Sequence, residues 1–367
     1  MPLDFLPLPG TPVEELDTPA LMVDLPVMER NIERLHTYFA GRAAKVRPHV
    51  KGHKSPILAH RQLDAGGTIG GICCAKVGEA EVMVLSGIKD VFITNEIVTR
   101  PKIARLMSLA HLANMMVAVD DPRNIQDLSE AAQSSHVTLR VTVDVNVGID
   151  RCGVDVGPQV VELAKMVARA PGLRFAGLMG YEGGMWIEGF EERSAATRAR
   201  VQKLLDAREL VERAGLPVEI VSGGGTGTWN ITGDVAGITE VQAGAYPFMD
   251  AHYRYVPEFD VSLTVLSTVI SRPAEDRAII DCGHKGIGVT LGLPEVAWPK
   301  GAKVARLSSE HGNLDLEGDA RQLRPGDKVW LIPSHGGTAV NIHAHYYTVR
   351  DGKLEGVWEI AARARFM

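Results

Sequence analysis

Cysteine is scarce in this chain: four occur among 367 residues, at Cys73, Cys74, Cys152 and Cys282. Their number and irregular spacing exclude a disulfide framework and a CxxC zinc site. A reducing cytoplasm is the expected setting. Long apolar runs are also missing. No stretch approaches the roughly 18 apolar residues of a membrane span, so no membrane partner is expected. Positive charge is not in excess, since 39 Lys and Arg stand against 45 Asp and Glu, a formal net charge of −6. No basic stretch is present to neutralise phosphates, which argues against nucleic acid as a partner. The first residues, MPLDFLPLPGTPVEELDTPA, lack the basic segment of a secretion signal. No low-complexity linker interrupts the chain.

What is present is an ordinary globular composition, 45% apolar and 23% charged, enough to form a core and to exclude a disordered chain. The length allows two domains, or one large barrel with an appendage. From residue 46 to about 248 one unit recurs: a short apolar run, a turn, then an amphipathic helix. The runs are VRPHV (46–50), IGGICCA (69–75), DVFITN (90–95), MMVAVD (115–120), TLRVTVDV (138–145), LRFAGLMGY (173–181), VEIVSGG (218–224) and ITEVQAG (238–244). Most are rich in Val and Ile and bounded by Gly, Pro or Asn, as buried parallel strands are. Eight such strands alternating with helices predict a (β/α)8 TIM-like barrel over residues 26–256. The connection between its last two strands is short.

After about residue 257 the helices give way to strands. VSLTVLSTVIS, DRAIIDC, AKVARLSSE, DKVWLIPS and HYYTVR predict an all-β domain. Asp351-Gly352, between Tyr346–Arg350 and Lys353–Ile360, marks a hairpin with a type I′ turn. DTPALMVDL (17–25) reads as a strand separate from the barrel that crosses over to the β domain. The β domain is therefore expected to comprise residues 1–25 and 257–367.

A barrel places its site at the C-terminal ends of its strands. The first strand ends in Arg47-Pro-His49-Val-Lys51-Gly-His53-Lys54. A lysine amine there, partly desolvated beside Arg47 and Lys54, suits a Schiff-base nucleophile. Solvated loop charges are the plainer reading. The seventh strand ends in Ser222-Gly223-Gly224-Gly225-Thr226-Gly227-Thr228. Bare backbone N–H groups and hydroxyls in such a run can cradle a phosphate. The spacing is neither GxGxxG nor GxxxxGK[ST], so a single phosphate group is favoured over a dinucleotide or a nucleoside triphosphate. A flexible turn is the alternative. Gly244 and Tyr246 follow the eighth strand, and Tyr246 can add a phenolic donor. Arg151, after the fifth strand, can face a ring nitrogen or a carboxylate, or instead pair with Asp144 or Asp150. Tyr181 ends the sixth strand. A Schiff-base lysine, a phosphate cradle and a following β domain together imply pyridoxal phosphate.

On RPHVKGHK (47–54), GICCAKVGEAE (71–81), IKDVFITNE (88–96), NVGIDRCGV (146–154), VSGGGTGT (221–228), QAGAYPFMD (242–250), SEHG (309–312) and PSH (333–335), the chain resembles the fold-type III pyridoxal-phosphate enzymes with an alanine-racemase-like barrel. Within them it resembles the D-threonine aldolase and D-serine dehydratase group, and most of all its D-threonine and hydroxy-D-aspartate aldolases. The resemblance implies that Lys51 carries the cofactor and that His49, Arg151 and Tyr181 lie near it. Ser222, Gly223, Gly224, Gly225, Thr226, Gly244 and Tyr246 would hold the phosphate. A homodimer is implied, with His311 entering from the partner subunit and acting with Lys51 and Tyr181. The activity implied is cleavage of D-β-hydroxy-α-amino acids to glycine and an aldehyde. Racemisation, D-serine-type dehydration and non-catalytic cofactor binding are the alternatives.

Two positions depart from the family's pattern. Enzymes of this group bind a divalent metal through His-x-Asp or His-x-Cys after the PSH turn. Here His335 is followed two residues later by Gly337, which has no side chain. His343 and His345, read as neighbours on one strand face, are the substitute ligands to consider. The expectation is therefore no tightly bound metal, or one held by histidines. The aldolases' histidine after the strand-six tyrosine is replaced here by Ile187. The base for the β-hydroxyl is left among His311, His335 and Tyr181.

Overall fold

The computed structural model describes residues 6–183 and 186–367. The chain divides into two compact units. One contains residues 34–51, 56–244 and 365–367, the other residues 1–33, 52–55 and 245–364.

In chain order the elements begin with strand β1 (Ala20–Asp24) and helix α1 (Leu25–Ala40). The barrel strands follow: β2 (Lys45–Val46), β3 (Ile72–Cys74), β4 (Asp90–Glu96), β5 (Asn114–Val119), β6 (Leu139–Asp144), β7 (Leu173–Met179), β8 (Ile220–Gly223) and β9 (Glu240–Val241). Between them run α2 (Pro56–Asp64), α3 (Val77–Leu85), α4 (Arg100–Ala110), α5 (Pro122–Ser134), α6 (Pro158–Arg169), α7 (Phe190–Arg213) and α8 (Trp229–Thr232). All seven neighbouring pairs in the order β2-β9-β8-β7-β6-β5-β4-β3 are parallel. Parallel bridges at Val46–Thr68 and His49–Cys73 join the two ends of that order. The sheet therefore curls into the TIM-like barrel that the alternating pattern predicts.

The local chemistry follows the sequence. Helices α4, α5 and α6 each carry Pro in the first turn, where its missing N–H costs nothing. Asp121 caps α5 by accepting from the Arg123 and Asn124 N–H groups. Cys73, Phe92, Met116, Ala118, Ala176, Met179 and Ile220, from five strands, form one buried cluster. The short link between the last two barrel strands holds only the four-residue α8. Strand β2 is shorter than the VRPHV run suggests, because the chain turns into a 3-10 helix at Val50–Gly52.

The other unit holds β10 (Leu263–Ala274), β11 (Arg277–Ile280), α9 (His284–Ile287), β12 (Glu295–Trp298), β13 (Ala302–Leu307), β14 (Gly312–Leu316), β15 (Lys328–Ile332), α10 (Gly336–Ile342), β16 (His345–Arg350) and β17 (Lys353–Glu359). β1 pairs antiparallel with β10 and parallel with β16, so the N-terminal strand does join this sheet. The β16–β17 hairpin turns at Asp351 and Gly352, with φ of 51° and 73°, as a type I′ turn requires. Among the described residues no helix is long and apolar enough to cross a membrane.

Candidate active site

Lys51 lies in the 3-10 turn that follows β2, and it is exposed. His49 shapes that turn. Its Nδ1 accepts the Lys51 backbone N–H at 3.4 Å, which leaves the proton on Nε2, 3.2 Å from the Thr94 hydroxyl of β4. The Lys51 ammonium stands 5.5 Å from the centre of the Tyr181 ring, and the Arg151 guanidinium 5.2 Å from the same ring. Two cations from different loops thus meet one aromatic ring at the C-terminal end of the barrel.

The setting of Lys51 differs from the sequence expectation. Arg47 does not act as a neighbouring free cation. It is 1% exposed, forks onto Glu240 at 2.7 and 2.8 Å and also binds Asp90. That pairing raises its affinity for its proton and neutralises its charge inside the barrel. Lys54 belongs to the other unit. An exposed lysine beside a tyrosine ring replaces the expected desolvated one within a cation cluster.

Arg151 is positioned by a loop folded around Asn146. The Asn146 Oδ1 accepts the Gly148 and Asp150 N–H groups, and its amide donates to Asp150 and Asp155. At Gly153 (φ +90°) a Cβ would stand 2.8 Å from the backbone at 145–146, so the loop admits only glycine there. Tyr181 is half-buried at the end of the run led by β7. Burial raises its pKa, Glu182 adds to the rise, and Arg151 opposes it. The phenol therefore keeps its proton at neutral pH. Gly184 and Met185, within the stretch where the family's histidine was sought, lie outside the described residues.

The glycine run after β8 lies against the end of β7. At Gly223 a Cβ would come within 2.7 Å of the Gly180 carbonyl. At Gly225 it would point at the Tyr181 ring, 3.4 Å from Cε2. At Gly244, after β9, it would meet the His49 carbonyl at 2.6 Å. Several expected phosphate donors are turned inward instead. The Gly224 N–H donates to Glu182 Oε2 at 2.8 Å and the Gly225 N–H to the Thr228 hydroxyl at 3.2 Å. The Ser222 hydroxyl accepts from the Gln242 amide at 2.9 Å. Thr226 is buried in the same run. The cradle is thus narrower than the run of seven residues suggests.

Two features escape sequence reasoning. Glu182 is one. The other is the carboxyl pair of Asp144, ending β6, and Glu96, ending β4. Burial and then Glu96 raise the Asp144 pKa well above the usual carboxylate range. An acid ending each of two barrel strands is the only signal that the sequence offers for that pair.

Tyr246, His311, His335, His343 and His345 belong to the other unit. Tyr246 is fully buried with its ring 6.0 Å from that of Phe259. His311 is exposed in the turn between β13 and β14. His335 caps α10, its Nδ1 2.8 Å from the Thr338 hydroxyl. His343 ends α10 rather than lying on β16, so it is not a strand neighbour of His345. Its Nε2 is 2.6 Å from the Gly286 carbonyl, and burial lowers its pKa. Among the described residues no three His, Cys, Asp or Glu side chains are grouped to hold a metal. At the PSH turn, Gly337, two residues after His335, offers no side-chain donor.

Residues 23–252 match the alanine racemase N-terminal domain, and residues 262–349 a putative serine dehydratase domain. The chain belongs to the fold-type III pyridoxal-phosphate enzymes with an alanine-racemase barrel, in the D-threonine aldolase and D-serine dehydratase family. Within that family the likeness runs to aldolases. The 3-hydroxy-D-aspartate aldolase of Paracoccus denitrificans is 38% identical, over 99% of this chain and 96% of that protein. The crystal structure of D-threonine aldolase from Filomicrobium marinum is also 38% identical, with a TM-score of 0.94, covering 98% of this chain and all of that one. The D-threo-3-hydroxyaspartate dehydratase of Delftia sp. is 27% identical, over 94% of this chain and 97% of that protein.

Proposed function

We propose that the protein is a pyridoxal-phosphate-dependent carbon–carbon lyase that cleaves D-configured β-hydroxy-α-amino acids to glycine and an aldehyde. The observation that carries the reading is the meeting of Lys51 and Arg151 over the Tyr181 ring, beside a glycine run whose bare Gly225 faces that ring. An amine, a fixed cation, an aromatic face and a backbone cradle make a donor set that fits an aromatic aldehyde bearing one phosphate. The higher identity to aldolases than to the dehydratase favours carbon–carbon cleavage over dehydration.

When bound, pyridoxal phosphate supplies the electron sink for charge developing at the substrate's α-carbon. Lys51 is the residue proposed to hold it, because its amine is exposed at the mouth of the barrel. Arg151, always charged, is suited to face a ring nitrogen and keep positive charge beside it. Gly223 to Thr226 and Gly244 are proposed to border the phosphate. Tyr181 keeps its proton at neutral pH, so it serves there as a donor or a wall rather than as the base for the β-hydroxyl. His311→Asn and His335→Asn test the two histidines for that role. A partner subunit completing the site remains part of the proposal. No step is assigned to a metal.

The test is a product panel. Purified protein with added pyridoxal phosphate is incubated with D-threonine, D-threo-3-hydroxyaspartate and D-serine. Equal amounts of glycine and aldehyde are expected from a β-hydroxy substrate. Release of a 2-oxo acid with ammonia, or accumulation of the L-enantiomer without glycine, would replace this reading with a dehydratase or a racemase.

A further inference from the structure

Glu182 directly follows Tyr181 and is 1% exposed. Its backbone is held from one side, where Arg200 of α7 donates to its carbonyl at 3.0 Å. Its carboxylate is used on the other. Oε2 accepts the Gly224 N–H at 2.8 Å, and Oε1 accepts the hydroxyls of Thr228, at 2.9 Å, and Thr232. Thr228 passes the tie on, since its oxygen accepts the Gly225 N–H. One side chain thus fixes two successive glycines and both ends of the Thr228–Thr232 segment. It does so from the residue next to the tyrosine that Lys51 and Arg151 face.

An anion at this place calls for an explanation. If the glycine run binds phosphate, simple Coulomb repulsion makes a neighbouring carboxylate unfavourable. Hydrogen bonds from backbone N–H and hydroxyl groups to a carboxylate are strong and directional. Three glycines in a row otherwise leave the backbone many conformations. Ordering that run before the ligand arrives removes a cost from binding.

We propose that Glu182 is a positioning residue for the phosphate cradle. It holds the glycine run in its binding shape and ties that run to the backbone carrying Tyr181. This rests on the cofactor reading above and adds a role that neither the glycine motif nor the lysine implies.

The experiment titrates the apoprotein with pyridoxal 5′-phosphate and, separately, with pyridoxal, which lacks the phosphate. The ratio of the dissociation constant for pyridoxal to that for pyridoxal 5′-phosphate isolates the phosphate's share of binding. Glu182→Ala should lower that ratio at least tenfold, almost entirely by weakening the phosphorylated ligand. Glu182→Gln keeps the volume and one carbonyl acceptor, and should lower it about two- to fivefold. A merely structural role would weaken both ligands alike and leave the ratio unchanged, which overturns the proposal. A raised ratio also overturns it, because it means that relief of charge repulsion outweighs positioning. If Glu182→Ala does not fold, Glu182→Gln decides by the same criterion. A parent protein that binds neither ligand would overturn the cofactor reading and this inference with it. A parent that binds the phosphorylated ligand tightly while both variants keep its ratio would overturn this inference alone.

Discussion

Gly224 is the position where the glycine run meets the barrel core, and alanine there should damage the fold before it touches any ligand. Its φ of +75° lies in the left-handed region, which costs a residue with a Cβ about 1–2 kcal/mol. The new Cβ would stand 2.8 Å from Val241 Cγ1 and 3.3 Å from Thr232 Cγ2. Val241 is fully buried in β9 and cannot move into solvent. Overpacking of this kind costs about 1–3 kcal/mol. The lost flexibility of the unfolded chain returns about 0.4–1 kcal/mol. A net loss of about 1–5 kcal/mol is therefore expected for Gly224→Ala in chemical denaturation of the apoprotein. Gly225 is the control, because it has no positive φ and its Cβ would make an ordinary 3.4 Å contact with Tyr181. Gly225→Ala should cost less than about 1 kcal/mol. Val241→Ala removes the clashing methyl, so the double variant Gly224→Ala/Val241→Ala should be more stable than the sum of the two single losses. Equal stability of the Gly224→Ala and Gly225→Ala variants would refute the reasoning.

Two further outcomes follow from the described geometry. Asp144 faces Glu96, Asp120 and Arg151, and its folded-state pKa lies above the ordinary value of about 4. The native state therefore binds more protons than the unfolded chain from about pH 4 up to the raised value, and stability falls as pH rises through that window. Asp144→Asn should flatten the fall, as thermal melts between pH 4 and 8 would register; identical slopes would count against the raised Asp144 pKa. At Gly337 a Cβ would stand 3.1 Å from His335 Cε1, so a side chain there lies beside the imidazole. Chelation should leave turnover unchanged in the parent, while Gly337→Asp should create a dependence on added manganese. Elemental analysis showing one divalent ion per subunit, with chelator-sensitive turnover, would contradict this.

The barrel is legible because buried parallel strands are local: Val91–Ile93 and Val117–Val119 announce themselves by composition and length. The Asp351-Gly352 hairpin is legible for the same reason, since its turn chemistry resides in two residues. What is not legible depends on partners far apart in sequence. Arg47 and Lys51 are neighbours in the chain, yet Arg47 runs inward to Glu240, 193 residues away, while Lys51 sits on an exposed turn. Composition alone placed them in one cation cluster. Glu182 reads as an ordinary loop acid until the fold brings Gly224 and Thr232 to it. The His343–His345 spacing suggested one strand face, but α10 runs to Ile342 and takes His343 out of the strand. The glycine run is visible as a motif, whereas the inward use of its N–H groups is not.

The central claim is that the site is built around Lys51, and its most direct measurement is covalent mapping. Protein loaded with pyridoxal phosphate is reduced with borohydride, digested, and the modified peptide sequenced by mass spectrometry. The account predicts a single stoichiometric adduct on Lys51, absent in Lys51→Ala together with turnover. An adduct on Lys54, Lys76 or Lys285 instead, or turnover retained by Lys51→Ala, would contradict it.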